Sequence, residues 1–228
     1  MNRKLIFLGL GLFSIDTAVS QERMSLSRDS SYNNSYYIEK DKLYKELIST
    51  KYDVLFFGNS ITERGPWQEL IGDKYKVGNR GIGGDNTFGM KARIKDAIAS
   101  KPKKIFLMMG INDIARGLPM TWSLANYEDI IKTILKNSPK TQIYIQSTLP
   151  LNEKELRYDY LQGKEQLIRD LNRKIMELAS TYKLPYVDVK AVLADDYTLK
   201  KEYTTDGIHI NTDAYIKWVG YLKENKYL

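Results

Sequence analysis

Short apolar runs and helix-period segments alternate about five times along this chain, and this alternation strongly limits the folds it can adopt. Between the runs, apolar residues recur three or four positions apart, as on one face of a helix. Strands that alternate with helices form parallel sheets covered on both faces. We therefore predict a single three-layer α/β/α domain, doubly wound around a mainly parallel five-stranded sheet. The predicted strands are Asp53–Phe57, Tyr75–Val77, Lys104–Met109, Ile143–Ser147 and Tyr186–Val189.

Two further segments are predicted from the same pattern. The first helix is expected to bury a face made of Leu43, Tyr44, Leu47 and Ile48. Residues 151–163 have weak periodicity and many charged and tyrosine residues, so they are predicted to form a lid or an insertion on the substrate side of the domain.

Composition narrows the class of protein. The 228 residues are 43% hydrophobic and 28% charged, which is typical of one globular domain. Cysteine is absent and histidine occurs once, which argues against disulfides and against a metal site. The net charge of +7 would suit an anionic partner. The lysines, however, are spread among acidic residues without a basic block, so we expect no nucleic-acid partner.

The N-terminus has the pattern of a signal peptide. Basic Arg3 and Lys4 precede an apolar run over residues 5–13, and small residues follow at Ala18 and Ser20. The run is shorter than the roughly 20 apolar residues that span a bilayer. We predict a signal peptide at 1–20, a flexible leader at 21–34 and the folded domain at 35–228. The mature protein is expected to be periplasmic or secreted, with no stable membrane insertion.

Because histidine occurs once, any mechanism that needs an imidazole must use His209. Imidazole titrates near neutral pH, and Asp206 lies three residues upstream, where its carboxylate could hold the second ring nitrogen. A nucleophile would have to come from a distant part of the sequence. By itself the pair is equally consistent with an ordinary polar surface loop.

Three more polar segments follow predicted strands, at Ser60, Gly84 and Asn112. Because the carboxyl ends of parallel strands face one crevice, these segments can meet His209 and Asp206. The set suits a hydrolase: Ser60 as nucleophile, with the Ser60 and Gly84 N–H groups and the Asn112 amide as oxyanion donors.

Simpler interpretations of these residues remain open. Ser60 could cap a helix, Gly84 could serve a turn with positive φ, and Asn112 could belong to an ordinary turn with Asp113. The glycine-rich stretch 78–86 fails the dinucleotide fingerprint, whose third glycine would fall at Asn86, and no phosphate-binding Gly-Lys-Ser/Thr is present. We expect no organic cofactor.

In order and residue type, the four segments resemble the signature blocks of the SGNH hydrolases, also called the GDSL esterase/lipase family. The resemblance implies a flavodoxin-like fold, a triad of Ser60, Asp206 and His209, and an oxyanion hole of Ser60, Gly84 and Asn112. The first block reads Gly-Asn-Ser where the family has Gly-Asp-Ser, so Asn59 departs from the pattern. The blocks look most like the branch of acetylhydrolases and carbohydrate O-acetylesterases, including sialate-type enzymes.

The sequence thus predicts an exported serine esterase that removes short acyl groups, acetyl above all, from a small-molecule or glycan ester. A lipid-directed esterase such as a lysophospholipase is the first alternative, although 151–163 contains no long apolar stretch that could cover a lipid. A non-catalytic carbohydrate-binding protein on the same scaffold is the second.

Overall fold

The computed structural model is built around a five-stranded sheet in which every neighbouring pair of strands is parallel. The strand order is β2-β1-β3-β4-β5, which confirms the predicted fold class. A short antiparallel hairpin, β6-β7, lies outside this sheet. The strands are β1 Val54–Gly58, β2 Val77–Gly81, β3 Lys104–Met108, β4 Gln142–Gln146, β5 Tyr186–Val187, β6 Ala194–Asp195 and β7 Thr198–Leu199.

The structure describes residues 29–228, so the predicted signal peptide and residues 21–28 lie outside the described residues. Residues 32–228 form one compact unit. In the described part, no helix is both long enough and apolar enough to cross a membrane. The α-helices are α1 Ser35–Glu46, α2 Ser60–Glu63, α3 Trp67–Ile71, α4 Thr87–Ala97, α5 Ile111–Ala115, α6 Met120–Asn137, α7 Glu165–Thr181, α8 Lys190–Leu193 and α9 Thr212–Glu224.

The sheet is buried on both faces, which explains the continuous apolar runs in its strands. In β1 alternate residues point to opposite faces: Leu55 and Phe57 pack in a core with residues of α4, α6 and α7, while Phe56 packs in a second core with residues of α3 and α9. Phe56 stacks on Trp67 with ring centroids 3.9 Å apart. Each core lies between the sheet and one layer of helices, so the domain has three layers: helices, sheet and helices.

Two local predictions were wrong. The glycine-rich stretch was expected to leave the sheet at Gly78, but β2 continues to Gly81, because parallel pairing with β1 holds its backbone. The predicted face of the first helix is not buried: Leu43 and Ile48 are 49% and 38% exposed, and Tyr37 is the buried residue of α1.

An arginine is buried in the sheet: Arg80 lies in β2 and is only 5% exposed. Its guanidinium stacks on the rings of Tyr44 and Tyr52, with centroid distances of 4.7 and 4.9 Å.

Candidate active site

Three of the predicted site residues follow neighbouring strands. Ser60 begins α2 directly after β1, Gly84 follows β2, and Asn112 lies in α5 directly after β3. Strand β1 lies between β2 and β3, so the order of strands reverses there and a crevice opens at their carboxyl ends. The topology thus brings these residues to one edge of the sheet.

A tight turn after β1 presents Ser60. A Cβ atom on Gly58 would lie 2.6 Å from the Met108 carbonyl oxygen, so the turn has room only for glycine. Asn59 is the N-cap of α2, and its side-chain oxygen accepts the Ile61 N–H at 3.0 Å. Aspartate caps helices through the same contact. The change from Gly-Asp-Ser to Gly-Asn-Ser therefore keeps the turn, and Ser60 is the first residue of the helix, not its cap.

Ser60, His209 and Asp206 form a continuous hydrogen-bonded chain. Ser60 Oγ lies 2.9 Å from His209 Nε2, and His209 Nδ1 lies 2.7 Å from Asp206 Oδ2. With Nδ1 protonated and donating to the carboxylate, Nε2 has a free lone pair for the serine proton. The geometry is that of an activated hydroxyl nucleophile.

The loop that carries Asp206 and His209 is closed on itself by backbone contacts. An antiparallel bridge joins Thr204 to Ile210, and Asp206 Oδ1 accepts the N–H groups of Ile208 and His209 at 3.2 and 2.8 Å. The carboxylate and the imidazole are therefore held by the same short loop.

The protonation states suit a general base. Burial raises the pKa of Asp206, but hydrogen bonds from the His209 backbone and ring outweigh it, and the pKa lies below the ordinary value. For His209, burial and the Arg64 charge together lower the pKa more than the Asp206 carboxylate raises it, and burial is the largest single cause. At neutral pH the aspartate is charged and the imidazole neutral.

The predicted oxyanion donors are unoccupied within the protein. Among residues 29–228, the backbone N–H groups of Ser60 and Gly84 have no acceptor. One N–H of the Asn112 amide donates to the Asp85 carbonyl oxygen at 2.8 Å, which leaves the other N–H available. Most backbone N–H groups in folded proteins are paired. Unpaired donors beside a serine nucleophile are suited to binding the negative oxygen of a tetrahedral intermediate.

Side chains that no motif indicated hold the loop around Gly84. Glu63 accepts the Gly83 N–H at 2.7 Å and the Tyr36 hydroxyl at 2.6 Å. Arg116 donates to the Gly84 carbonyl oxygen at 2.7 Å. Gly84 adopts φ = +74°, which glycine tolerates without strain. The loop is therefore preorganised before any substrate arrives.

A buried arginine also supports the loop around Gly84. Arg93 of α4 is 3% exposed and bonds to Asp85 Oδ2 at 2.8 Å. It also donates to the carbonyl oxygens of Gly58 and Arg80, at the ends of β1 and β2. Nothing in the sequence around Arg93 indicates this role; Asp85 could have been suspected because it adjoins Gly84.

Asp113 has a structural role. It is fully buried and accepts hydrogen bonds from the Thr87 backbone and hydroxyl and from the Ser123 hydroxyl. Across residues 29–228, no three acidic, histidine or cysteine side chains cluster closely enough to bind a metal ion.

The segment 151–163 is attached to the loop of Asp206 and His209. The Asn152 N–H donates to the Gly207 carbonyl oxygen at 2.8 Å, and the Arg157 N–H donates to that of Asp206 at 3.1 Å. Leu151 and Leu161 are buried in the core. These attachments favour a fixed insertion on the substrate side over a lid.

A cavity of about 320 Å³ lies beside the oxyanion donors. The residues that line it are Gly84, Asn112, Ala115, Arg116 and Tyr160. A cavity of about 520 Å³ lies elsewhere, between α4 and α6, and contains none of the predicted site residues. The smaller cavity is therefore the candidate substrate pocket.

Fold and site together define a class: an α/β protein with a serine-hydrolase arrangement at the carboxyl edge of its sheet. The model of the GDSL-like lipase/acylhydrolase family matches residues 56–216, which include Ser60 and His209. The chain belongs to this family.

Solved structures agree with the assignment. One described as "a putative platelet activating factor from Streptococcus pneumonia" is 32% identical, with a TM-score of 0.75 over 93% of this chain and 99% of that one. A GDSL-like lipase from Bacteroides thetaiotaomicron is 22% identical, with a TM-score of 0.70 over 82% of this chain and 98% of that one, and shows the shared fold.

One curated relative is much longer than this chain and matches it over only part of its length. N-acylneuraminate cytidylyltransferase from Escherichia coli is 27% identical over 170 residues, which are 72% of this chain. The chain spans only 38% of the length of that relative.

Proposed function

We propose that this protein is an exported serine esterase that hydrolyses short-chain acyl esters, acetyl esters above all, carried on carbohydrates. The observation that carries the hydrolytic part is the set of unpaired N–H donors on Ser60, Gly84 and Asn112, beside a nucleophile already bonded to a neutral His209. Family membership supports ester hydrolysis. Export rests on the sequence pattern of residues 2–20.

The reaction follows from the geometry. His209 Nε2 takes the proton as Ser60 Oγ attacks the ester carbonyl, and the negative oxygen binds the three N–H donors. Collapse breaks the bond to the alcohol, which leaves with the proton from His209. Water then attacks the acyl-serine with His209 again as base, and the carboxylic acid departs.

The pocket supports a short acyl group and a polar alcohol. Among the described residues that line it, Ala115 is the one aliphatic side chain. A long acyl chain gains about 0.8 kcal/mol for each CH₂ that it buries, and this lining offers little apolar surface for that. Tyr160, with 59% of its surface exposed, presents an aromatic ring at the pocket.

An acidic sugar is the carbohydrate that the site suits best. Arg116 lines the pocket and is exposed, with two of its N–H groups on the carbonyl oxygens of Gly84 and Asn112. Its remaining N–H donors can bind a carboxylate. The relative named N-acylneuraminate cytidylyltransferase also links this sequence to a protein that acts on an acidic sugar.

A lipid-directed esterase is the second candidate, because the 32% identical structure is named for platelet activating factor. The test is a series of p-nitrophenyl esters from acetate to decanoate, with Ser60→Ala as control, followed by O-acetylated neutral and acidic sugars and by a lysophospholipid. We expect cleavage to fall steeply beyond acetate and to be fastest on the acidic sugar. Rates that rise with chain length would favour the lipid. No cleavage above the Ser60→Ala background would favour a carbohydrate-binding protein.

A further inference from the structure

We infer that Tyr158 is a positioning residue of this site: its hydroxyl holds the Asp206 carboxylate, and thereby the His209 ring, in the orientation that activates Ser60. The inference rests on the proposed hydrolytic function. Tyr158 belongs to the segment 151–163 and to none of the four sequence blocks.

The Tyr158 hydroxyl contacts the same Asp206 oxygen that accepts the hydrogen bond from the His209 ring. The Tyr158 hydroxyl donates to Asp206 Oδ2 at 3.2 Å, and the same oxygen lies 2.7 Å from His209 Nδ1. The other oxygen, Oδ1, accepts the N–H groups of Ile208 and His209. A carboxylate has about four acceptor positions, so these four contacts fill it. Three of them come from the loop itself, and Tyr158 supplies the one that ties the carboxylate to the rest of the domain.

The backbone around Tyr158 fixes where its hydroxyl can reach. The neighbouring Arg157 N–H donates to the Asp206 carbonyl oxygen at 3.1 Å, so the two segments are joined one residue away. The Tyr158 ring also stands edge-on to His209, with centroids 6.1 Å apart and an interplanar angle of 77°. Tyr158 therefore restrains both members of the pair, one by a hydrogen bond and the other by ring contact.

The charged and polar groups facing His209 predict what loss of the hydroxyl would do. They are Asp206 on the same loop, Ser60 and Arg64 on and after α2, and Tyr158. In Tyr158→Phe the carboxylate loses one donor, so more of its negative charge is available to the imidazole. A nearby anion favours the protonated ring. The pKa of His209 should therefore rise.

Since the chain contains a single histidine, its titration can be followed by NMR in untagged protein without resonance overlap. The matched control is Tyr182→Phe, which also removes a tyrosine hydroxyl that donates to a carboxylate, that of Glu128, in a pair that contains no residue of the site. We expect Tyr158→Phe to raise the pKa of His209. It should also lower kcat for p-nitrophenyl acetate about 3- to 10-fold with KM little changed. Tyr182→Phe should leave the pKa of His209 and kcat unchanged.

The outcomes separate this inference from the proposed function. If the wild type hydrolyses p-nitrophenyl acetate no faster than Ser60→Ala, the proposed esterase function is overturned. The NMR titration would still report whether Tyr158 acts on His209. An unchanged pKa and kcat in Tyr158→Phe, beside an active wild type, would overturn the positioning role. A loss confined to KM would also overturn it and would make Tyr158 a substrate contact.

Discussion

Replacing Gly207 by alanine tests how closely the segment 151–163 packs on the loop of Asp206 and His209. Gly207 adopts φ = +85°. A Cβ atom there would lie 2.4 Å from Leu156 Cα, 2.6 Å from Leu156 N and 2.7 Å from the Asn152 carbonyl oxygen. Carbon atoms in good contact are about 3.5–4.0 Å apart. All three neighbours are backbone atoms that cannot rotate away, so the two segments must separate by about 1 Å.

The expected cost has two parts. A side chain at positive φ costs about 1–2 kcal/mol, and forcing atoms into a filled space costs about 1–3 kcal/mol. The free energy of unfolding should therefore fall by about 2–5 kcal/mol. Because Gly207 lies directly after Asp206, the displacement also moves the His209 ring, and a shift of about 1 Å at a reacting group can cost about 10²-fold in rate.

Gly163→Ala is the control for the backbone cost alone. Gly163 also has positive φ, +73°, but nothing lies within 4 Å of a Cβ added there. Urea unfolding and kcat for p-nitrophenyl acetate should be measured for both variants. We expect Gly163→Ala to lose about 1–2 kcal/mol with near-normal kcat, and Gly207→Ala to lose more stability together with about 10²-fold in kcat. Equal losses in the two variants would refute the close packing.

Two other predictions concern the chemistry. His209 must be neutral to act as a base, and its pKa lies below 6.5 because the ring is buried. We therefore expect kcat/KM to persist into mildly acidic buffer and to decline only as the pH falls through the lowered pKa of His209. A pH–rate profile with a midpoint above 6.5 would contradict the claim that burial lowers this pKa. Asn112→Ala should lower kcat roughly 10²-fold by removing one oxyanion donor, whereas a loss seen only in KM would assign Asn112 to substrate binding.

Some of the site could be predicted from sequence because its information is local. Asp206 and His209 lie three residues apart on one loop, and Ser60 directly follows a strand whose five residues are all buried. The parallel sheet could be predicted for a similar reason, since the period of apolar residues reflects the immediate environment of each element.

The failures have an equally physical origin. The end of β2 was misplaced because glycines predict a turn, whereas pairing with β1 through Gly81 keeps them in the sheet. The first helix was given the wrong face because only packing shows which side of α1 is covered. The burial of Arg80 could not be predicted from neighbouring residues, because its partners Tyr44 and Tyr52 lie far away in sequence.

The sequence by itself determined the fold class, the family and the residue types that a hydrolase needs. The apolar periodicity of strands and helices, and the short motifs, all depend on residues that are close together in the sequence. Only the tertiary structure decided how those residues are held. Glu63 reaches Gly83 across 20 residues, Arg93 reaches Gly58 across 35, and Tyr158 reaches Asp206 across 48. Contacts at such separations depend on how the chain crosses between strands, and no local pattern records them.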